Sequence, residues 1–165
     1  AVVSRLAEHL DQPVAVGVID QDSLTYVAHA QPRRLEAFPR SVGTRIPLGT
    51  SAMGRVLLAS LADNELDKRL RALHLVKLTK ATIVDAKMLR SAVLEVRKAG
   101  YALIDQELEI GFRTLAVPIR SRNGNIMAAI GVGSTDAQFD KKTFVEKYLK
   151  ALQLAAAEIS ARLPA

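Results

Sequence analysis

Apolar side chains recur at Val2, Leu6 and Leu10 on one face of a helix and Pro13 stops the pattern, so the chain is predicted to open with a short helix over residues 2–10. The period then shortens. Residues 13–20 (PVAVGVID) are a nearly unbroken apolar run that reads as a buried strand, Gln21-Asp22-Ser23 reads as a turn, and residues 24–30 read as the hairpin partner. A looser basic segment follows, with a candidate short strand at residues 42–46. Thr50 or Ser51 is placed to cap a helix carrying Val56, Leu57, Leu58 and Leu61, and Asp63 to cap a second carrying Leu66, Leu70 and Leu73. Asp85 opens a third helix striped by Leu89, Val93 and Val96; its last turn, Arg97-Lys98 before Gly100, suits the negative end of the helix dipole and a left-handed cap. Residues 101–105, 113–119 and 126–133 read as three more strands, the last two joined around Asn123-Gly124. Phe144, Tyr148, Leu152, Ile159 and Leu163 line a closing helix from about residue 140 to 162.

Hairpins at both ends of the strand set predict an α+β domain, one mostly antiparallel sheet with helices packed against it. No repeat or internal linker divides residues 1–165, and a chain of this length buries roughly 70% of the surface it exposes unfolded, enough for one core. It begins at Ala1-Val2-Val3-Ser4 with neither an initiator Met nor a charged-then-apolar leader, so it reads as a piece of a longer protein. At 49% apolar and 24% charged residues the composition is that of a globular domain. Zero Cys excludes disulfides, thiolate metal sites and thiol-based catalysis, and fits a reducing compartment such as the cytoplasm. No run approaches the ~20 apolar residues of a membrane span, and no membrane association is expected.

A formal charge of +6 raises the question of nucleic acid, but only Phe38, Phe112, Phe139, Phe144, Tyr26, Tyr101 and Tyr148 are available for stacking, and no recognition-helix motif is present. The charge is concentrated instead: Arg33, Arg34, Arg40, Arg45 and Arg55 face the single acid Glu36 over residues 33–55, a net +4 that reads as a solvated basic surface or a local anion site, with Arg34 the first candidate to touch an anion. His9, His29 and His74 lie on three separate elements without metal-ligand spacing. Asp105, Glu107 and Glu109 alternate at period two, an arrangement that permits acid–base work on a strand face but more often forms a rim or pairs with Arg. Neither GxSxG nor GxxxxGK[ST] occurs, so no enzyme, cofactor or metal is expected.

Gly49-Thr50-Ser51-Ala52-Met53-Gly54-Arg55 differs in kind. It places two hydroxyls and small side chains at a helix start, where unpaired N–H groups attract a carboxylate; the segment also fits a plain N-cap with Gly54 permitting close packing. On the last strand Met127, Ala129, Gly131 and Gly133 share one face and Ile126, Ala128, Ile130 and Val132 the other, while Thr114 and Ala116 alternate with Arg113, Leu115 and Val117 on the strand before. A face of Thr, Ala and Gly cannot fill a core alone. Either a helix approaches closely or a ligand cavity remains.

The blocks T-S-A-x-G-R-x-L-L-A (Thr50–Ala59) and G-Y-x-x-x-x-x-E-x-x-x-G-x-R (Gly100–Arg113), followed by Ala116-Val117-Pro118-Ile119-Arg120, resemble the effector-binding domain of IclR-family transcriptional regulators over nearly the whole chain. Tyr26-Val27-Ala28, Arg33-Arg34 and Val42-Gly43-Thr44-Arg45 are similar to the subgroup that regulates protocatechuate, 4-hydroxybenzoate and β-ketoadipate catabolism. The resemblance implies a GAF-like sheet, homodimers or homotetramers, and DNA binding only through an N-terminal winged helix-turn-helix domain absent from this chain. It implies further that a small carboxylate is held at Ser51, Ala52 and Met53, with Leu35 from the preceding loop, Thr114, Gly131 and Gly133. Members that bind very small keto acids carry serines where this chain has Gly131 and Gly133, so a larger, aromatic acid is expected here. The alternative is a GAF-like oligomerisation or interaction module without a ligand.

Overall fold

The alternating segments form strands β1 (Val14–Asp20), β2 (Ser23–Ala30), β3 (Arg45–Pro47), β4 (Ala102–Asp105), β5 (Arg113–Arg120) and β6 (Ile126–Ser134). In the computed structural model, which describes residues 1–35, 41–135 and 140–164, they make one antiparallel sheet in the order β3-β2-β1-β6-β5-β4. The helices are α1 (Val2–Leu10), α2 (Ala52–Ala59), α3 (Asp63–Ala72), α4 (Ala86–Ala99) and α5 (Lys141–Ala161), with single 3-10 turns at Arg33–Leu35 and Leu48–Thr50. The predicted α+β class holds.

Each face of the sheet has its own core. Val14, Val16, Leu115, Val117, Ile130 and Val132 pack under α1 and α5, where Phe144 and Tyr148 are wholly buried and meet edge to face at 5.0 Å. That contact adds about 1 kcal/mol to the burial of the two rings. The opposite face offers only Ala15, Ala116 and Ala129 at its centre, and α2 lies close over it with Met53, Val56 and Leu57, backed by Leu89 and Val93 of α4. Small side chains on the sheet are what let α2 approach.

Local departures from the predicted pattern have physical causes. Ser41 to Thr44 forms a turn, with Gly43 at φ 91° and Thr44 Oγ1 donating to the Ser41 carbonyl at 2.6 Å, so the short strand starts later than the predicted 42–46. Asp63 is not a cap: Ala62 holds that position, and the Asp63 carboxylate accepts from Arg97 Nη1 at 2.6 Å, which also holds it below the usual carboxylate pKa. The predicted alternation on β6 breaks at a bulge. Ile119 faces Ala128 and Arg120 faces Ile126, leaving Met127 exposed and turning Ile126 into the α2-side core. A second bulge leaves Val27 of β2 unpaired and half-exposed, between Tyr26 opposite Gly17 and Ala28 opposite Val16.

Helix α4 shows how much local chemistry secures an element. Asp85 Oδ1 accepts from the amides of Lys87 (2.7 Å) and Met88 (3.4 Å), while Gly100, at φ 82°, donates to the Val96 carbonyl at 2.8 Å. A Cβ at Gly100 would touch nothing within 4 Å, so Gly100→Ala should cost only the left-handed backbone penalty, about 1 kcal/mol. Asp85→Ala should cost about 1 kcal/mol at the other end, and the two losses should add in urea unfolding because they share no neighbour.

Candidate ligand-binding site

The site starts from the Leu48–Thr50 turn, which carries the chain up to α2. Ser51 adopts an extended backbone (φ −104°, ψ 131°) and its Oγ accepts from the Gly54 amide at 3.2 Å, so Ser51, not Thr50, is the cap. The amides of Ala52 and Met53, first in the helix, have no partner within it and sit at the positive end of its dipole. A Cβ on Gly54 would run into the Leu48 carbonyl, which is the close packing that this glycine permits.

Below this helix start lies a cavity of about 470 Å³, floored by the ends of β1, β5 and β6. Its walls contain Arg34, Leu35, Thr50, Ser51, Ala52, Met53, Thr114, Gly131 and Gly133, so all nine residues singled out from the sequence converge on one space. The register explains the convergence: Ala15 pairs with Gly131, Ala116 with Gly131 from the other side, and Thr114 with Gly133. The sequence left other wall residues unnamed. Tyr26 and His29 stack at 5.8 Å with 9° between their planes, Phe112 and Leu108 come from the segment after β4, and Gln12, Gln31 and Glu109 stand among the polar groups. Thr114 Oγ1 is buried on this wall without a hydrogen-bond partner among the described residues, a state shared only with Thr25 Oγ1.

The two glycines do not simply widen the cavity. A Cβ at Gly133 would meet the Phe112 ring at 2.7 Å, and one at Gly131 would meet Met53 Cγ at 3.1 Å and the Leu115 carbonyl at 3.2 Å. The space that side chains would take is occupied by a ring and a thioether, so this end is less polar than a serine pair would make it, and shaped by Phe112 and Met53.

Three of the arginines counted over residues 33–55 pair with acids from elsewhere in the chain. Arg34 pairs with Asp11 (2.9 Å), Arg45 with Asp20 (3.0 Å), and Arg55 with Glu107; Glu36 and Arg40 lie outside the described residues. The three alternating carboxylates likewise separate, because the strand ends at Asp105. Asp105 accepts from Arg113 Nε at 2.7 Å, Glu109 stands on the cavity rim, and Glu107 turns inward. For Asp105 burial pushes the carboxyl pKa up, and the Arg113 and Gln106 hydrogen bonds with the Arg113 charge bring it below its usual value. Glu107 and Arg55 are only 8% and 4% exposed and bind as a fork, Nη2 to Oε1 at 2.5 Å and Nη1 to Oε2 at 3.0 Å, with Arg55 Nε donating to the Gly49 carbonyl at 3.0 Å. A lone charge within residues 52–59 (AMGRVLLA) is the sequence signal of that buried role. Among the described residues no group of three or more His, Asp or Glu side chains is placed to hold a metal.

Residues 1–161 match the family model for the bacterial transcriptional regulator IclR C-terminal region. The chain is an IclR C-terminal domain. It is 30% identical over 162 residues to the Pca regulon regulatory protein of Pseudomonas putida, covering 98% of this chain and 56% of that protein, so it spans about half the length of this curated relative. A crystal structure of a Rhodococcus sp. RHA1 transcriptional regulator superposes with a TM-score of 0.91 at 33% identity, covering 97% of this chain and 65% of that one. The inducer-binding domain of the Acinetobacter transcription factor PobR, solved as a double mutant with 3-hydroxybenzoic acid, shares the fold with a TM-score of 0.88 at 23% identity, covering 96% and 93%. The curated relatives are named as regulatory proteins and transcriptional regulators.

Within this IclR domain the Arg55–Glu107 pair joins the two sequence blocks that carry the family resemblance. Glu107→Ala would leave a buried guanidinium without its carboxylate, and should cost about 3 kcal/mol or more. Replacing both partners, Arg55→Met with Glu107→Leu, should recover most of that loss in chemical denaturation; equal losses for the single and double variants would show that the loss comes from the missing fork itself and not from an unpaired buried charge.

Proposed function

We propose that this domain is the effector sensor of an IclR-type regulator and holds a small organic acid, aromatic in body, in the cavity beneath α2. The observation that carries the reading is the Thr114 hydroxyl, buried on the cavity wall without a partner. An unpaired buried hydroxyl costs about 1–3 kcal/mol, and a turn of the Thr114 side chain toward the cavity would let its Oγ1 donate to a carboxylate that also accepts from the Ala52 and Met53 amides. Stacked Tyr26 and His29, with Phe112, Leu108 and Ile46, suit a flat apolar body, and a volume of about 470 Å³ falls within the usual range for small-molecule sites. The name of the Pseudomonas relative and the hydroxybenzoate held by the PobR domain support an aromatic acid over a short keto acid. The alternative, a module that only oligomerises, draws on Met53 and Phe112 filling the space over the glycines, but leaves the remaining cavity and Thr114 without a purpose.

In this reading the acid controls the DNA affinity of a separate winged helix-turn-helix domain in the cytoplasm, and the sensor domain forms homodimers or homotetramers, since two-fold operators call for paired reading heads. Sedimentation at micromolar concentration should therefore give a dimer or larger, and a monomer there would count against the regulator model.

The binding test uses Thr114→Val, which keeps the shape and removes the hydroxyl. Without ligand the variant should be about 1 kcal/mol more stable than wild type, and it should bind 4-hydroxybenzoate, 3-hydroxybenzoate or protocatechuate about tenfold more weakly. Pyruvate serves as the short-acid control. A preference for pyruvate would overturn the aromatic reading, and equal binding by both proteins would move the site away from Thr114.

A further inference from the structure

Arg34 stands between the cavity and the end of α1. Its guanidinium is half-exposed, and its Nε donates to Asp11 Oδ2 at 2.9 Å while Nη2 donates to the Asp11 carbonyl at 2.5 Å and to Gln12 Oε1 at 3.3 Å. Asp11 is the C-cap of α1, held left-handed at φ 54°, so Arg34 supplies a cation and a donor at the negative end of that helix. At its other end α1 has no side-chain cap. Gln12 is buried and passes its Nε2 hydrogen to the Tyr148 hydroxyl of α5 at 3.3 Å. Arg34 and Gln12 both line the cavity; Asp11 does not.

We propose that Arg34 is a competitive latch on α1, opened by ligands that carry a second acidic group. The inference rests on the ligand site described above and names its regulation. The fork of Arg34 is divided among three acceptors belonging to two residues, whereas a ligand carboxylate entering from the cavity offers two oxygens matched to the guanidinium geometry. The pair to be displaced is exposed on both sides, and exposed pairs are weak enough for a ligand to compete with them. Once Arg34 turns to the ligand, the Asp11 carbonyl and carboxylate lose their donors, and the last turn of α1 loosens. A ligand with one acid, held at the start of α2, leaves the latch closed. The cavity thereby distinguishes occupancy by a mono-acid from occupancy by a diacid.

The experiment compares benzoate with benzene-1,4-dicarboxylate, and hexanoate with hexanedioate, by calorimetry on wild type, Asp11→Asn and Arg34→Gln. Asn tolerates the left-handed backbone as Asp does, so Asp11→Asn keeps the C-cap while weakening the competitor. Wild type should prefer at least one diacid over its mono-acid. Asp11→Asn should raise diacid affinity by up to about fivefold, the range set by an exposed pair, without moving mono-acid affinity. Arg34→Gln should bring the diacid to mono-acid ratio near one. Hydrogen exchange at the amides of residues 8–12 should quicken with the diacid and not with the mono-acid. Unchanged diacid affinity in both variants, or slower exchange at the end of α1 with diacid bound, overturns the latch alone. Wild type binding none of the four acids would instead remove the cavity reading on which the latch rests.

Discussion

The buried fork between Arg55 and Glu107 organises this domain. Arg55 belongs to the first turn of α2 and Glu107 to the segment leaving β4, so the pair ties the start of that helix to the segment that delivers Leu108 and Phe112 to the cavity wall. Each partner is held a second time. Arg55 Nε reaches the Gly49 carbonyl, Thr82 Oγ1 donates to the Glu107 carbonyl at 2.6 Å, and Thr79 Oγ1 donates to the Gln106 carbonyl at 2.6 Å. Such a pair yields little net stability against an apolar substitute, because two charges must be stripped of water. What it provides here is position: two segments far apart in the chain meet at fixed distances.

Position matters because the cavity has no dedicated wall element. It is the gap left where α2 begins: along its length the helix rests on Ala116 and Ala129, and at its start the sheet offers Gly131, Gly133 and Thr114. The same depletion of side chains on one face of the sheet thus permits close helix packing along α2 and leaves a cavity at its start. Close helix approach and open space, which the sequence offered as alternatives, are successive stretches of one surface.

The elements were legible because their signals are local. Caps, a left-handed glycine and the hairpin dipeptide act within a few residues of themselves, and the face of Thr, Ala and Gly follows from strand alternation alone. The charges were not legible, since the acids that neutralise Arg34, Arg45 and Arg55 come from 23, 25 and 52 positions away, and a running charge count cannot see them. Phe112 was missed for a similar reason: its place over Gly133 depends on the antiparallel pairing of β5 with β6 and on the turn before it. The bulges were invisible because one surplus residue leaves the hydrophobic pattern readable in either register.

One of those bulges has a bearing on the cavity. Residues three apart in a regular strand point to opposite sides of the sheet, yet Tyr26 and His29 lie on the same side and stack. The extra residue, Val27, makes this so, although it is itself half-exposed and no part of the cavity lining. The aromatic wall is therefore encoded by a count of residues rather than by the identity of the residue that supplies the count. Position 27 can drift through many side chains without effect on this wall, while a one-residue deletion there, which would restore perfect pairing to the hairpin, would draw the two rings into a different spacing.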